Sequence, residues 1–316
     1  MKSANLQKTL GSAVTCSGIG LHSGLPVSMT LHPAEADSGI VFCRTDVGTE
    51  ASIINARYHL VTDTMLGTTL ENAQGVRIST IEHLMSAFWG MGIDNALVTI
   101  NGPEIPIMDG SAEPFAFLIE CAGVVEQKAP RRILKIDAPI TVRDGDSWVK
   151  AVPHEGFILD INIDFDHHLI ANQHAHYDFS PHSTKSQTSF KQIISRARTF
   201  GFSSDVEKLK KAGLARGGSL DNAIVVGENS ILNEGGLRFE DEFVRHKALD
   251  CLGDFFLAGM RIEGHITTSR PGHGVNNKFL KALFAQRGSW HSEPPAQIIS
   301  LSRMPMSASV AQASRA

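Results

Sequence analysis

Nothing in the 316 residues approaches the unbroken apolar run of about 18 that a membrane-crossing helix requires. Lys2 and Lys8 lie near the start, but Thr9, Ser12, Thr15 and Ser17 interrupt any signal-peptide core. Cysteine is scarce. Cys16, Cys43, Cys121 and Cys251 are widely spaced and form no CxxC pair, which points to reduced thiols and away from a disulfide framework. These absences lead us to expect a cytoplasmic protein. Positive charge is not in surplus either. The 33 acidic and 29 basic residues give a formal charge of -4, which argues against a nucleic-acid partner but leaves room for a local basic pocket. Several catalytic signatures are also missing. There is no GxxxxGK followed by Ser or Thr, no GxSxG, no HExxH and no GxGxxG. Phosphate-loop NTPases, serine α/β-hydrolases, zincins and dinucleotide enzymes therefore lose ground.

What is present is an ordinary globular composition, 42% hydrophobic and 20% charged, with 28 Gly and 13 Pro. The length suits about two domains, enough to bury a large core without staples. Histidine is abundant at 14 residues, an uncommon supply of metal ligands and proton carriers. Alternating apolar and polar positions over 26–32 and the run 38–43 predict strands. A helix is predicted over 79–91, with Glu82 in its first turn and Gly90 and Gly92 at its end. A buried strand (94–100), a Pro-rich loop (101–110) and a second helix (111–121) follow. Residues 126–132 are polar and proline-broken, and read as a domain boundary. Beyond them come strands (133–142, 157–165), a helix (189–198), a long helix (240–260), a strand (262–268), a loop (269–274) and a helix (276–284). Both halves run in the same order. The expectation is an α+β protein of two similar, duplicated domains, 1–128 and 129–300, with 301–316 a disordered tail.

The richest cluster of chemistry lies on the long helix, in Arg245-His246-Lys247-Ala-Leu-Asp250-Cys-Leu-Gly-Asp254. Residues four apart share a helical face, so His246, Asp250 and Asp254 form a stripe. An imidazole and a carboxylate one turn apart suit a zinc ion, and equally suit an ion pair on a solvated face. Leu249, Leu252, Phe255, Phe256 and Leu257 make this helix apolar nearly all round, and polar groups buried so deeply need partners. The corresponding helix of the first half carries Glu82-His83 among apolar neighbours, as a further ligand beside a general base or as a cap beside a core histidine. His273, flanked by glycines in Ser269-Arg-Pro-Gly-His-Gly274, is a cleft residue or a surface-turn histidine. The segment with His167, His168, His174, His176 and His182 has irregular spacing in a polar stretch and reads as a solvated loop or strand. Residues 213–222 read as a mobile turn.

Five stretches carry a resemblance: Ile78-Ser-Thr-Ile-Glu82-His83-Leu, Ile105-Pro-Ile-Met-Asp-Gly-Ser111, Arg198-Thr-Phe-Gly-Phe202, the run from Leu237 to Asp250, and Gly272-His273. In this order they resemble the UDP-3-O-acyl-N-acetylglucosamine deacetylase family, which removes acetate in the committed step of lipid A synthesis in Gram-negative bacteria. The resemblance implies two domains with helices sandwiched between sheets, a small insert in each, and a Zn2+ cofactor. It implies His83, His246 and Asp250 as zinc ligands, Glu82 as base, His273 as acid and Asp254 as the group holding His273. Thr199 would polarise the acetamide carbonyl and Phe200 would lie against the sugar. Lys247, Met65 and Leu66 would border the substrate, an acylated UDP-sugar, and the chain is expected to act as a monomer. The region 202–222 would form an apolar passage for the acyl chain. At His168 the sequence departs from the family pattern, where a proline is expected. Two other readings of the same residues are a different zinc amidohydrolase and a non-catalytic nucleotide-sugar binding protein on this fold; the intact Glu82 and His273 speak against the second.

Overall fold

The structure, a computed structural model, describes residues 6–48, 51–180 and 190–293. The tail expected at 301–316 and His182 lie outside them. Strand periodicity sets the first sheet. In Pro26–Pro33 the side chains of Val27, Met29 and Leu31 are buried while the alternate positions face outward. Five strands pair in the order Val14–Ile19, Pro26–Pro33, Ala96–Ile100, Ile40–Arg44, Ile53–Asn55. Ala96–Ile100 runs antiparallel to Pro26–Pro33 and parallel to Ile40–Arg44.

The same arrangement recurs in the second half. Arg261–Ser269 runs antiparallel to Ser147–Val152 and parallel to Phe157–Asp164. Hairpin partners Ile140–Asp144 and Asn172–Asp178 extend the sheet on either side, and Ile133–Ile136 and Trp290–Glu293 join near the start of Arg261–Ser269. Each half also carries a small insertion. The first is a three-stranded sheet of Val61–Asp63, Thr69–Glu71 and Arg77–Ile78. The second is the parallel pair Phe200–Phe202 and Ile224–Val226 with a helix between them.

Six helices complete the described residues: α1 (Glu82–Met91), α2 (Glu113–Ala122), α3 (Phe190–Ile193), α4 (Ser203–Lys211), α5 (Glu242–Phe256) and α6 (His273–Ala285). α2 packs on Val14–Ile19 of the first sheet, α5 and α6 pack on strands of the second, and α1 packs on α5. Helices thus stand between the two sheets, and one continuous apolar cluster joins both halves. α1 is buried on every side from Glu82 to Trp89, so the charge and protonation of Glu82 and His83 depend on partners within the protein. It stops at Gly92, in the left-handed region at φ 78°. Gly253 sets the approach of α5 to α1: a Cβ there would lie 2.1 Å from the Glu82 carbonyl oxygen. That contact brings the two chemistry-bearing helices side by side.

The structure adds detail to three of these readings. Residues 126–132, read as the domain boundary, overlap a strand: Val124–Pro130 pairs with Leu6–Leu10. Its side chains are mostly exposed, so no apolar alternation marks it. The helix read over 189–198 is the single turn of α3. Residues 213–222 are mostly turns and meet the first half of the chain: Gly217 N donates to Leu21 O (3.0 Å) and Arg216 N to His22 O (3.3 Å).

Candidate active site

α1 and α5 deliver the central cluster. His83 follows the first residue of α1, while His246 and Asp250 lie one turn apart on α5, and all three are at most 4% exposed. His83 Nε2 and His246 Nε2 stand 3.7 and 3.4 Å from Asp250 Oδ1. The three ligand atoms fall within 4.8 Å of one another, and among the described residues no other His, Cys, Asp or Glu group does so. Backbone chemistry orients His246: its Nδ1 lies 3.0 Å from the Ala197 carbonyl, which fixes the N–H there and leaves Nε2 as a lone pair facing the cluster. Asp250 Oδ2 accepts from Lys247 Nζ at 2.7 Å. Its Oδ1 is buried and has no hydrogen-bond partner. A buried carboxylate oxygen left without a donor is costly unless a cation completes it. Two imidazole nitrogens and one carboxylate oxygen converging on one point fit a divalent transition ion, with a position left open for a reactant.

Protonation states agree with that fit. Burial, followed by the neighbouring His246, lowers the His83 pKa to about 3, so the imidazole is neutral as a ligand must be. Burial likewise lowers that of His246. Burial acts to raise the Asp250 pKa, but His246 and Lys247 outweigh it and hold the carboxyl ionised, well below the usual range. The Lys247 ammonium loses hydration by burial, and the Asp250 charge more than restores it, raising its pKa.

Beside the triad sit a second carboxylate and a third imidazole. Glu82 is 3% exposed; burial drives its pKa up to about 7, against the opposing pull of His273. His273 Nδ1 bonds Asp254 Oδ2 at 2.8 Å, and its Nε2 faces Glu82 Oε1 at 3.9 Å. Burial disfavours the charged ring, yet Asp254 and Glu82 overcome it and raise the pKa to about 9. His273 is not a loop residue: it opens α6, where the helix dipole also opposes a cation, so the two carboxylates carry its charge. Desolvation and neighbouring charge thus give Glu82 and His273 values suited to a base and an acid.

A cavity of about 330 Å³ opens over this cluster. Glu82, His83, His246, Asp250 and His273 line it together with Thr199, Phe200, Lys247 and Leu66. Phe200 is braced edge-on by Phe243 (4.9 Å between ring centroids). Met65 is not brought in; it stands 64% exposed and does not line the cavity. Asp254 does not line the cavity; it lies behind His273, bonded to its Nδ1. The sequence reading missed Leu21, Thr64 and Thr80, which line the wall, and Thr68 and Asn276, which hold the carboxylates. Thr80 sits at φ 56°, an uncommon state for a β-branched residue, braced by a hydrogen bond to buried Glu104 (3.1 Å). Only Asn276 carried a signal, one helical turn after His273. The strand residues His174 and His176 lie away from the cavity and are exposed, as expected.

Such a triad, with a buried carboxylate and a third imidazole beside it between two sheet-and-helix halves, fits a metal-dependent hydrolase. Comparison narrows the class. The sequence profile of the UDP-3-O-acyl N-acetylglycosamine deacetylase family matches residues 7–285, nearly the whole chain. Proteins named UDP-3-O-acyl-N-acetylglucosamine deacetylase are similar throughout: that of Pasteurella multocida is 49% identical over 90% of this chain and 92% of its own length. Those of Haemophilus influenzae (49% identical, 90% and 92% covered) and Shewanella violacea (48%, 90% and 91%) are similar to the same extent. The chain belongs to this deacetylase family.

Proposed function

We propose that this chain hydrolyses the N-acetyl group of UDP-3-O-(3-hydroxyacyl)-N-acetylglucosamine, releasing acetate and the free amine in the committed step of lipid A synthesis. The observation that carries the reading is the partnerless Asp250 Oδ1 facing two neutral imidazole nitrogens, with Glu82 and His273 alongside. His83, His246 and Asp250 would hold the metal, and their mixed nitrogen and oxygen donors suit zinc. When bound, the ion supplies Lewis acidity, polarising the acetyl carbonyl and acidifying water beside it. Glu82 takes a proton from the attacking water as the new C–O bond forms. The Thr199 hydroxyl donates to the developing oxyanion. His273 Nε2–H then protonates the amide nitrogen as the C–N bond breaks, because an amide anion is otherwise too poor a leaving group. Asp254 keeps the His273 ring oriented and charged. Phe200 offers its ring to the sugar, Lys247 approaches the phosphates, and Leu66 borders the acyl chain.

The two-domain division at 128/129 is part of this proposal, supported by the strand order that repeats in the two halves. Among the described residues no helix is long and apolar enough to cross a membrane.

The test is acetate release from the acylated UDP-sugar, measured from about pH 5 to about pH 10. The expected profile is a bell. Rate falls on the acid side as Glu82, raised to about 7, becomes protonated, and on the alkaline side as His273, raised to about 9, loses its proton. A cation in the triad favours ionised Glu82 and neutral His273, so both limbs of the loaded enzyme lie below these values. A flat profile would remove the acid–base pair, and absence of acetate would remove the function.

A further inference from the structure

Thr68 lies just ahead of the insert strand Thr69–Glu71 and is 2% exposed. Its backbone N–H donates to Glu82 Oε2 at 2.9 Å, and its hydroxyl donates to Asp254 Oδ1 at 2.6 Å. Its carbonyl accepts the Ile81 N–H that leads into α1 (3.4 Å). One residue therefore holds two carboxylates that come from different helices and different halves of the chain. Each carboxylate gives one oxygen to Thr68 and turns the other toward His273: Glu82 Oε1 faces Nε2, and Asp254 Oδ2 accepts from Nδ1. Asn276 Nδ2 adds a second donor to Asp254 Oδ2 at 2.8 Å. Nothing besides Thr68 donates to Asp254 Oδ1 among the described hydrogen bonds.

We propose that Thr68 is a positioning residue for the hydrolysis, fixing the base and the acid relative to each other through a single N–H and a single hydroxyl. The assignment rests on the roles proposed above for Glu82, Asp254 and His273. Its physical ground is that a base and an acid working on two atoms of one amide must be set together. A misplacement of about 1 Å costs on the order of 100-fold in rate. Without the hydroxyl, Asp254 Oδ1 is buried without a donor, and the carboxylate turns to find one. His273 then loses the fixed partner that aims Nε2 at the leaving nitrogen. Thr68 is no member of the triad and does not itself line the cavity, and the N–H that holds Glu82 survives every substitution, so metal and substrate binding are expected to stay as they were.

The experiment compares kcat, KM and bound metal for the wild type with Thr68→Val, Thr68→Ala and Thr68→Ser. Val and Ala are expected to lower kcat by roughly 10- to 100-fold, the scale for outer partners of a metal site, with KM within about threefold and metal content unchanged. Ser keeps the hydroxyl and is expected to stay within about threefold of wild-type kcat. In an Asp254→Asn background, Thr68→Val should cost less than about threefold more, because the two changes break one shared contact. Val and Ala variants with wild-type kcat overturn the assignment, as does a Ser variant that falls as far as Ala. If Val does not fold, the Ala and Ser pair decides on the same criteria. A wild-type chain that releases no acetate sinks the deacetylase reading and this assignment with it, whereas an active wild type with unaffected Thr68 variants overturns this assignment alone.

Discussion

Glu82→Gln is expected to keep its metal and lose between about 100-fold and about 10,000-fold in the rate of acetate release, the range for removing a general base. Gln is nearly isosteric with Glu, and its carbonyl oxygen still accepts the Thr68 N–H that holds Oε2 at 2.9 Å. His83, the next residue, keeps its place on α1. What is lost is the capacity to take a proton from water. Burial makes this loss severe, since a side chain 3% exposed has no solvent base to replace it. The check is kcat measured beside the metal content of the same preparation. Activity within about tenfold of wild type would show that another group takes the proton.

His246→Ala is expected to remove both metal and activity. The substitution deletes one of three protein ligands and strips Asp250 of the neighbour that does most to offset its burial. It also leaves the Ala197 carbonyl without the imidazole N–H. Metal affinity should fall by more than about 100-fold, beyond the cost of losing an outer-shell partner. Dialysis against dilute metal followed by elemental analysis measures this. The contrast between the two variants carries the weight: one keeps metal and loses rate, the other loses both. A His246→Ala protein with wild-type metal content would place the metal elsewhere.

Much of the site was legible because its chemistry is compact in sequence. His246 and Asp250 share a helical face by spacing alone, and Glu82-His83 stands out as a polar pair in an apolar helix. Burial of all four followed from the surrounding Leu and Phe residues, and the structure bears that out. What stayed hidden depends on contacts across long stretches of chain. Thr68 meets Asp254 across 186 positions, and no local pattern marks a lone Thr as the donor to a buried carboxylate. The start of α6 was missed because glycines flank His273 and imitate a loop. α4 was missed because all its residues are at least partly exposed, so no apolar stripe announces it. Val124–Pro130 failed for the same reason in strand form: a mostly exposed strand is specified by its partner Leu6–Leu10, not by its own side chains. The α+β class and the recurring order of elements survived these errors because the buried strands and α5 have the clearest periodicity.

The most direct test of the account is to strip metal from the wild-type chain and titrate zinc back while recording acetate release from the acylated UDP-sugar. Negligible release is expected from the stripped protein, rising in proportion to added zinc and levelling at about one ion per chain, as a single triad requires. Full-rate release from the metal-free chain would contradict it.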